Sequence, residues 1–128
     1  MKHLLVLLAP LMVASSALAA PVEVRRVIDG DTVVLTTGER VRLACMDTPE
    51  RGVMGAAAAT AELRRLVLGQ TIQLRRITTD RYGRTIGELT TPAGINVGES
   101  LVNSGHARIF AVTPTSAAGP ANRVLLLH

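Results

Sequence analysis

Three short stretches of this chain carry side chains whose types and spacing could do chemistry. They are Val27-Ile28-Asp29-Gly30-Asp31-Thr32-Val33, then Arg42 through Asp47-Thr48-Pro49-Glu50, and finally Asp80-Arg81-Tyr82-Gly83-Arg84. Asp31, Asp47 and Glu50 are hard oxygen donors with no His or Cys cluster beside them, which favours calcium, magnesium or manganese over zinc. Three carboxylates fall short of the roughly 6–8 oxygens that calcium takes, so water, a backbone carbonyl and a substrate phosphate would complete such a shell. The pattern is not an EF-hand loop, because D-x-D-x-D-G is absent. Arg42 and Arg84 add two fixed cations, suited to the charge that builds on a phosphorus under attack. Glu50 can take a proton from water. Each stretch also has a plain reading: a hairpin turn, a capped loop entering a helix, a solvated turn. Their joint occurrence, in this order and on a regular strand pattern, is what favours chemistry.

The elements that must position these residues are short. Val22 to Ile28 is β-branched and predicts a strand; Asp29-Gly30 predicts a tight hairpin turn with positive φ at its centre. Thr32 to Thr36 is the returning strand, Gly38 marks a turn, and Arg40 to Met46 is a third strand, completing a meander that Thr48-Pro49-Glu50 breaks. Strict alternation along that third strand sends Arg42 and Asp47 to opposite faces, so a bend at its end, or the reach of Arg42, must bring them together. Ala56 to Leu68 predicts a helix with Leu63, Leu66 and Val67 on one stripe, stopped by Gly69. Thr71 to Ile77 and Arg84 to Leu89 predict two further strands around the Tyr82-Gly83 turn. Asn96 caps a short helix that ends at Gly105, and Ala107 to Phe110 is a last short strand. Five short strands with a helix between the third and fourth describe a mainly β, α+β chain built on an OB-type barrel.

The ends and the composition narrow the class further. Residues 1–19 have a polar start, an apolar run from Leu4 to Val13 and an Ala17-Leu18-Ala19 site, the layout of a bacterial-type signal peptide. The expected product is an exported domain over residues 20–110, periplasmic or secreted. A tail at 111–128, rich in Pro, Ser, Ala and Gly, is expected to be poorly ordered. No second long apolar run follows, so membrane insertion is not expected. The single cysteine excludes an internal disulfide, and Cys45, between Ala44 and Met46, is expected in the core. The chain has 14 Lys and Arg against 10 Asp and Glu, and apart from Lys2 every one of those cations is arginine. That balance suits polyanions, and the arginine fork suits phosphate. With Tyr82 and Phe110 as the only aromatics, any grip on nucleic acid must be mainly electrostatic. His106 is expected as a surface or helix-end residue rather than a base.

At the three stretches the chain resembles the staphylococcal nuclease (thermonuclease) family, and the resemblance runs from about Val24 to Phe110. It implies a five-stranded OB-fold barrel with Ca²⁺ held by Asp31, Asp47 and the backbone carbonyl of Thr48. It also implies Glu50 activating the attacking water, Arg42 and Arg84 clamping the phosphate, and Arg81 and Tyr82 lining the nucleotide site. The implied activity is hydrolysis of DNA and RNA at the 5′-oxygen to leave 3′-phosphates; a monomer is expected. The chain departs from the family in lacking a further proline soon after Glu50, and any Trp or C-terminal helix in its tail. The alternative is a catalytically silent OB-fold module that binds nucleic acid or peptide. Silent copies are expected to lose carboxylates or arginines at these positions, and none is lost here.

Overall fold

A computed structural model of the chain describes residues 18–112 and 124–127. Strands β1 (Ala20–Asp29), β2 (Thr32–Leu35) and β3 (Arg40–Leu43) form the expected meander. In β1 both Val24 and Val27 are buried although they are an odd number apart. A register shift between Val24 and Arg26 resolves this: the bulge leaves Arg25 and Arg26 both outside and returns Val27 to the core. A two-residue strand β4 (Met46–Asp47) follows, then helix α1 (Ala56–Val67), strands β5 (Thr71–Thr79) and β6 (Thr85–Thr90), helix α2 (Val97–Asn103), and strands β7 (Arg108–Val112) and β8 (Val124–Leu127).

The barrel is closed in the order β1-β2-β3-β6-β5. Its seam is a parallel pairing of β3 with β6, Val41 opposite Thr85 and Leu43 opposite Gly87. Val33, Leu35, Val41, Ile72, Leu74 and Leu89 fill the interior, and α1 adds Leu63, Leu66 and Val67 to the same core. The apolar stripe of α1 is therefore the one its sequence spacing predicts, extended by Ala59. Asn96 caps α2 by accepting a hydrogen bond from the Glu99 amide at 3.0 Å. The helix ends as expected at Gly105, which has φ +82°, with the His106 amide donating back to the Leu101 carbonyl.

Four expectations are corrected. The predicted third strand, Arg40 to Met46, is two strands separated by a reversal at Ala44-Cys45, with β4 leaving the barrel to pair with β7. Cys45 is exposed rather than in the core, and it turns the chain with φ +62°, a value rare for any residue but glycine. Gly30 does not have positive φ. A glycine stands there because a Cβ would lie 2.7 Å from the Thr48 hydroxyl and 2.8 Å from the Ala59 Cβ. Val124–Leu127, assigned to the tail by sequence, pairs antiparallel with β7, Ile109 opposite Leu127. Residues 1–17 of the segment expected to be a signal peptide, and residues 113–123 and 128 of the tail, lie outside the described residues.

Candidate functional site

Asp31 leaves the β1–β2 turn and is buried, with 7% of its surface exposed. Its Oδ1 accepts from the Thr32 hydroxyl at 3.1 Å, and its Oδ2 accepts from both the Thr48 amide at 3.2 Å and the Thr48 hydroxyl at 3.1 Å. Thr48 is thus the residue that fixes Asp31, and it lies just beyond β4. The Asp31 carbonyl accepts from the Leu43 amide at 2.8 Å, which ties the turn to the end of β3.

Arg42 sits between the two halves of the corrected strand. Its Nη1 donates to the carbonyls of Leu43 at 2.7 Å and Met46 at 2.9 Å, so the guanidinium spans the Ala44-Cys45 reversal. Its Nη2 lies 3.3 Å from Asp47 Oδ1 and 3.5 Å from Asp31 Oδ2. The conflict of faces between Arg42 and Asp47 is settled by the reversal, which carries Asp47 back over the arginine. One cationic nitrogen therefore stands between two carboxylates. Among the described residues no three His, Cys, Asp or Glu side chains gather as a metal cluster, so Glu50 does not join Asp31 and Asp47 as a third direct donor.

Glu50 is exposed on the loop after β4; its carbonyl accepts from the Val53 amide at 2.9 Å, and its carboxylate makes no hydrogen bond among the described residues. It shares with Asp47 and Thr48 the wall of an open pocket of about 350 Å³. Arg81, Tyr82 and Arg84 form a separate group at the start of β6. The guanidinium carbons of Arg81 and Arg84 lie 5.0 and 5.5 Å from the centroid of the Tyr82 ring, within cation–π range. Arg40 joins this group to β3 by donating to the Tyr82 carbonyl at 2.7 Å. No hydrogen bond or ion pair among the described residues links it directly to Asp31, Arg42 or Asp47.

Two acidic residues matter here to which sequence reasoning gave no role. Asp80 accepts from Arg84 Nε at 2.8 Å and from the amides of Tyr82 and Arg84, each at 2.9 Å. Partial burial works to raise its carboxyl pKa, but these donors and the Arg84 charge outweigh burial and hold it low. Asp29 accepts from the Asp31 amide at 3.1 Å, and burial, with the neighbouring Asp31, raises its pKa. The available signals were the position of Asp80 four residues before Arg84 and the two-residue spacing of Asp29 and Asp31.

A five-stranded barrel closed by a parallel third-to-last pairing, with a helix after the third barrel strand, is the OB fold. Within that class the chain belongs to the staphylococcal nuclease homologue family, whose model matches residues 40–125. The match covers Arg42, Asp47, Thr48, Glu50 and the Arg81–Arg84 turn; Asp31 precedes it and is joined to it through Thr48. Over 88 residues the chain is 34% identical to a protein of Escherichia coli O157:H7 described as an uncharacterized endonuclease, a stretch covering 66% of this chain and 58% of that one. It is 38% identical over 88 residues to a protein of Shigella flexneri named micrococcal nuclease, covering 66% of this chain and 51% of its relative. A third relative, Protein ParB of Escherichia coli, is 38% identical over 112 residues, 78% of this chain and 63% of that protein. The chain thus spans less than two thirds of the length of each of these three relatives.

Proposed function

We propose that this chain is a calcium-dependent nuclease that hydrolyses phosphodiester bonds of DNA and RNA at the 5′-oxygen, leaving 3′-phosphates. The observation that carries the reading is the bracketing of Arg42 Nη2 by Asp31 and Asp47, 3.5 and 3.3 Å away, with Glu50 lining the same pocket as Asp47. Family membership and the nuclease names of two relatives support it. Asp31, Asp47 and the Thr48 carbonyl would hold Ca²⁺. They are hard oxygens, two of them anionic, and the carboxylates already face one cationic nitrogen, so the residues fit the ion. When bound, the ion polarises a phosphate oxygen and offsets its charge.

The residues of the chain divide the remaining work. Glu50 takes a proton from water as the water oxygen bonds to phosphorus. Arg42 and Arg84 donate N–H groups to the phosphoryl oxygens as negative charge develops there. Arg84 is held by Asp80 through Nε, and its terminal nitrogens would then serve the phosphate near the departing 5′-oxygen. The P–O5′ bond breaks, and the 5′-oxygen leaves as a hydroxyl after taking a proton from solvent. Arg81 and Tyr82 bind the strand beyond that oxygen.

Incubating the purified chain with plasmid DNA and with RNA, in calcium and in excess chelator, tests the reading. Cleavage in calcium alone is expected. Undiminished cleavage in chelator sinks the roles of Asp31 and Asp47, and cleavage in neither condition leaves a silent binding module.

A further inference from the structure

The open pocket beside Asp47 and Glu50 has a far wall to which the reading above gives no role. β4 and β7 are antiparallel neighbours with Asp47 directly opposite Arg108. Directly opposed residues project from the same face of a sheet, so Arg108 emerges beside Asp47. It is exposed and, among the described residues, makes no ion pair or side-chain hydrogen bond, although a carboxylate faces it across the strands. Both Arg108 and His106 line the pocket. So do Val53 and Met54, which leave 55% and 95% of their surfaces exposed.

The position of this pocket follows from β3. Arg40 and Arg42 lie two residues apart on the outer face of that strand, with Val41 buried between them. Arg40 holds the Tyr82 carbonyl and Arg42 reaches Asp47, so the strand joins the Arg81–Arg84 group at one end to the carboxylates at the other. A nucleic-acid strand whose departing 5′-oxygen lies at Arg84 continues over Arg81 and Tyr82 on its 3′ side. Its 5′ side must then leave past Asp47 and Glu50. Those two carboxylates repel a phosphate, and a neighbouring cation is needed to offset them. Arg108 is the cation that stands there.

We infer that the pocket between the Asp47–Glu50 loop and the start of β7 is a nucleotide subsite for the strand 5′ to the cut. Arg108 binds its phosphate, and Val53 and Met54 offer apolar surface to the sugar and base. The inference rests on the nuclease reading for its direction along the strand, but not for the existence of the phosphate contact.

The test pairs Arg108→Ala with Arg108→Lys, and with Arg65→Ala as a control whose guanidinium is bound to Glu62 on α1. Affinity for a single-stranded oligonucleotide is measured by fluorescence anisotropy over a range of salt. Losing one phosphate contact should flatten the slope of log affinity against log salt by about 0.7 in Arg108→Ala, with Arg108→Lys and Arg65→Ala near wild type. In cleavage assays, Arg108→Ala should raise KM by up to roughly fivefold, the scale of one exposed ion pair, on substrates with phosphates 5′ to the cut. It should leave kcat unchanged, and leave KM unchanged on substrates with no phosphate on that side. An unaltered salt slope overturns the subsite, and so does an equal loss on both substrate types, which would make Arg108 structural or catalytic. If the wild type cuts nothing, the nuclease reading fails while the salt slope still decides Arg108. If the wild type binds no oligonucleotide, both fail.

Discussion

Among the described residues, Glu50 differs from Asp31, Arg42 and Arg84 in having no hydrogen bond or ion pair to hold its side chain. Asp31 has three donors besides Arg42, Arg42 has two carbonyls and two carboxylates, and Arg84 has Asp80. A group that must take a proton from a mobile water gains nothing from a fixed ion pair, which would hold it in its charged form. Glu50→Gln keeps the shape and removes the basic oxygen, so single-turnover cleavage should slow by ~10²–10⁴, the usual contribution of a general base. Affinity for single-stranded DNA in calcium should stay equal or tighten slightly, since one negative charge near the phosphate is gone. Anisotropy alongside single-turnover cleavage measures both, and full activity in the variant would refute Glu50 as the base.

The elements of the site are held together by close approach at one glycine. The Asp29-Gly30-Asp31 turn packs onto Thr48 and onto α1 at Ala59, and only a hydrogen fits between them. Gly30→Ala forces Thr48 or the helix to move, a cost of about 1–3 kcal/mol for overpacking, and should lower the melting temperature. Because Thr48 donates twice to Asp31, the proposed calcium binding should weaken as well; an unchanged melting temperature together with unchanged affinity in a calcium titration would show that the turn yields freely. The need for glycine here was legible in the sequence, but its reason was not, since Asp-Gly reads equally as a turn of positive φ. The same limit applied at Ala44-Cys45. Nothing in Leu43-Ala44-Cys45-Met46 has turn chemistry. The reversal is held by a distant partner, the Gly87 carbonyl that accepts from the Ala44 amide at 2.9 Å, and by the Arg42 side chain, which bridges the carbonyls of Leu43 and Met46. The apolar stripe of α1 and the caps of α2 were legible because their signals are local.

For the molecule as a whole, the feature least visible in the sequence is how the barrel closes. Strand lengths and order predict an OB layout, but the β3–β6 seam joins segments more than forty positions apart, and no local pattern specifies it. Glu39, just before β3, marks that seam: its carboxylate takes Arg76 of β5 through both Arg76 Nε and Nη2, and also the Thr85 hydroxyl at the start of β6. Hydrogen bonding from Arg76 is the main reason its carboxyl is held below the ordinary carboxylate range, against some burial and with help from Thr85. A depressed folded pKa means the folded state favours the ionised form. The contribution is therefore complete above the unfolded pKa and is lost as pH falls through the lower, folded value. Glu39→Gln should lower stability near neutral pH by about 1 kcal/mol or less, because the pair is partly exposed and screened by salt. The difference between variant and wild type should shrink as the pH falls below the carboxylate range. Acid sensitivity will not vanish in the variant, since Glu62, bound by Arg65, and Asp80 are held low as well. Melting temperatures of both proteins across an acid titration check this, and two curves that stay parallel to the lowest pH would mean that Glu39 closes the seam by packing rather than by charge.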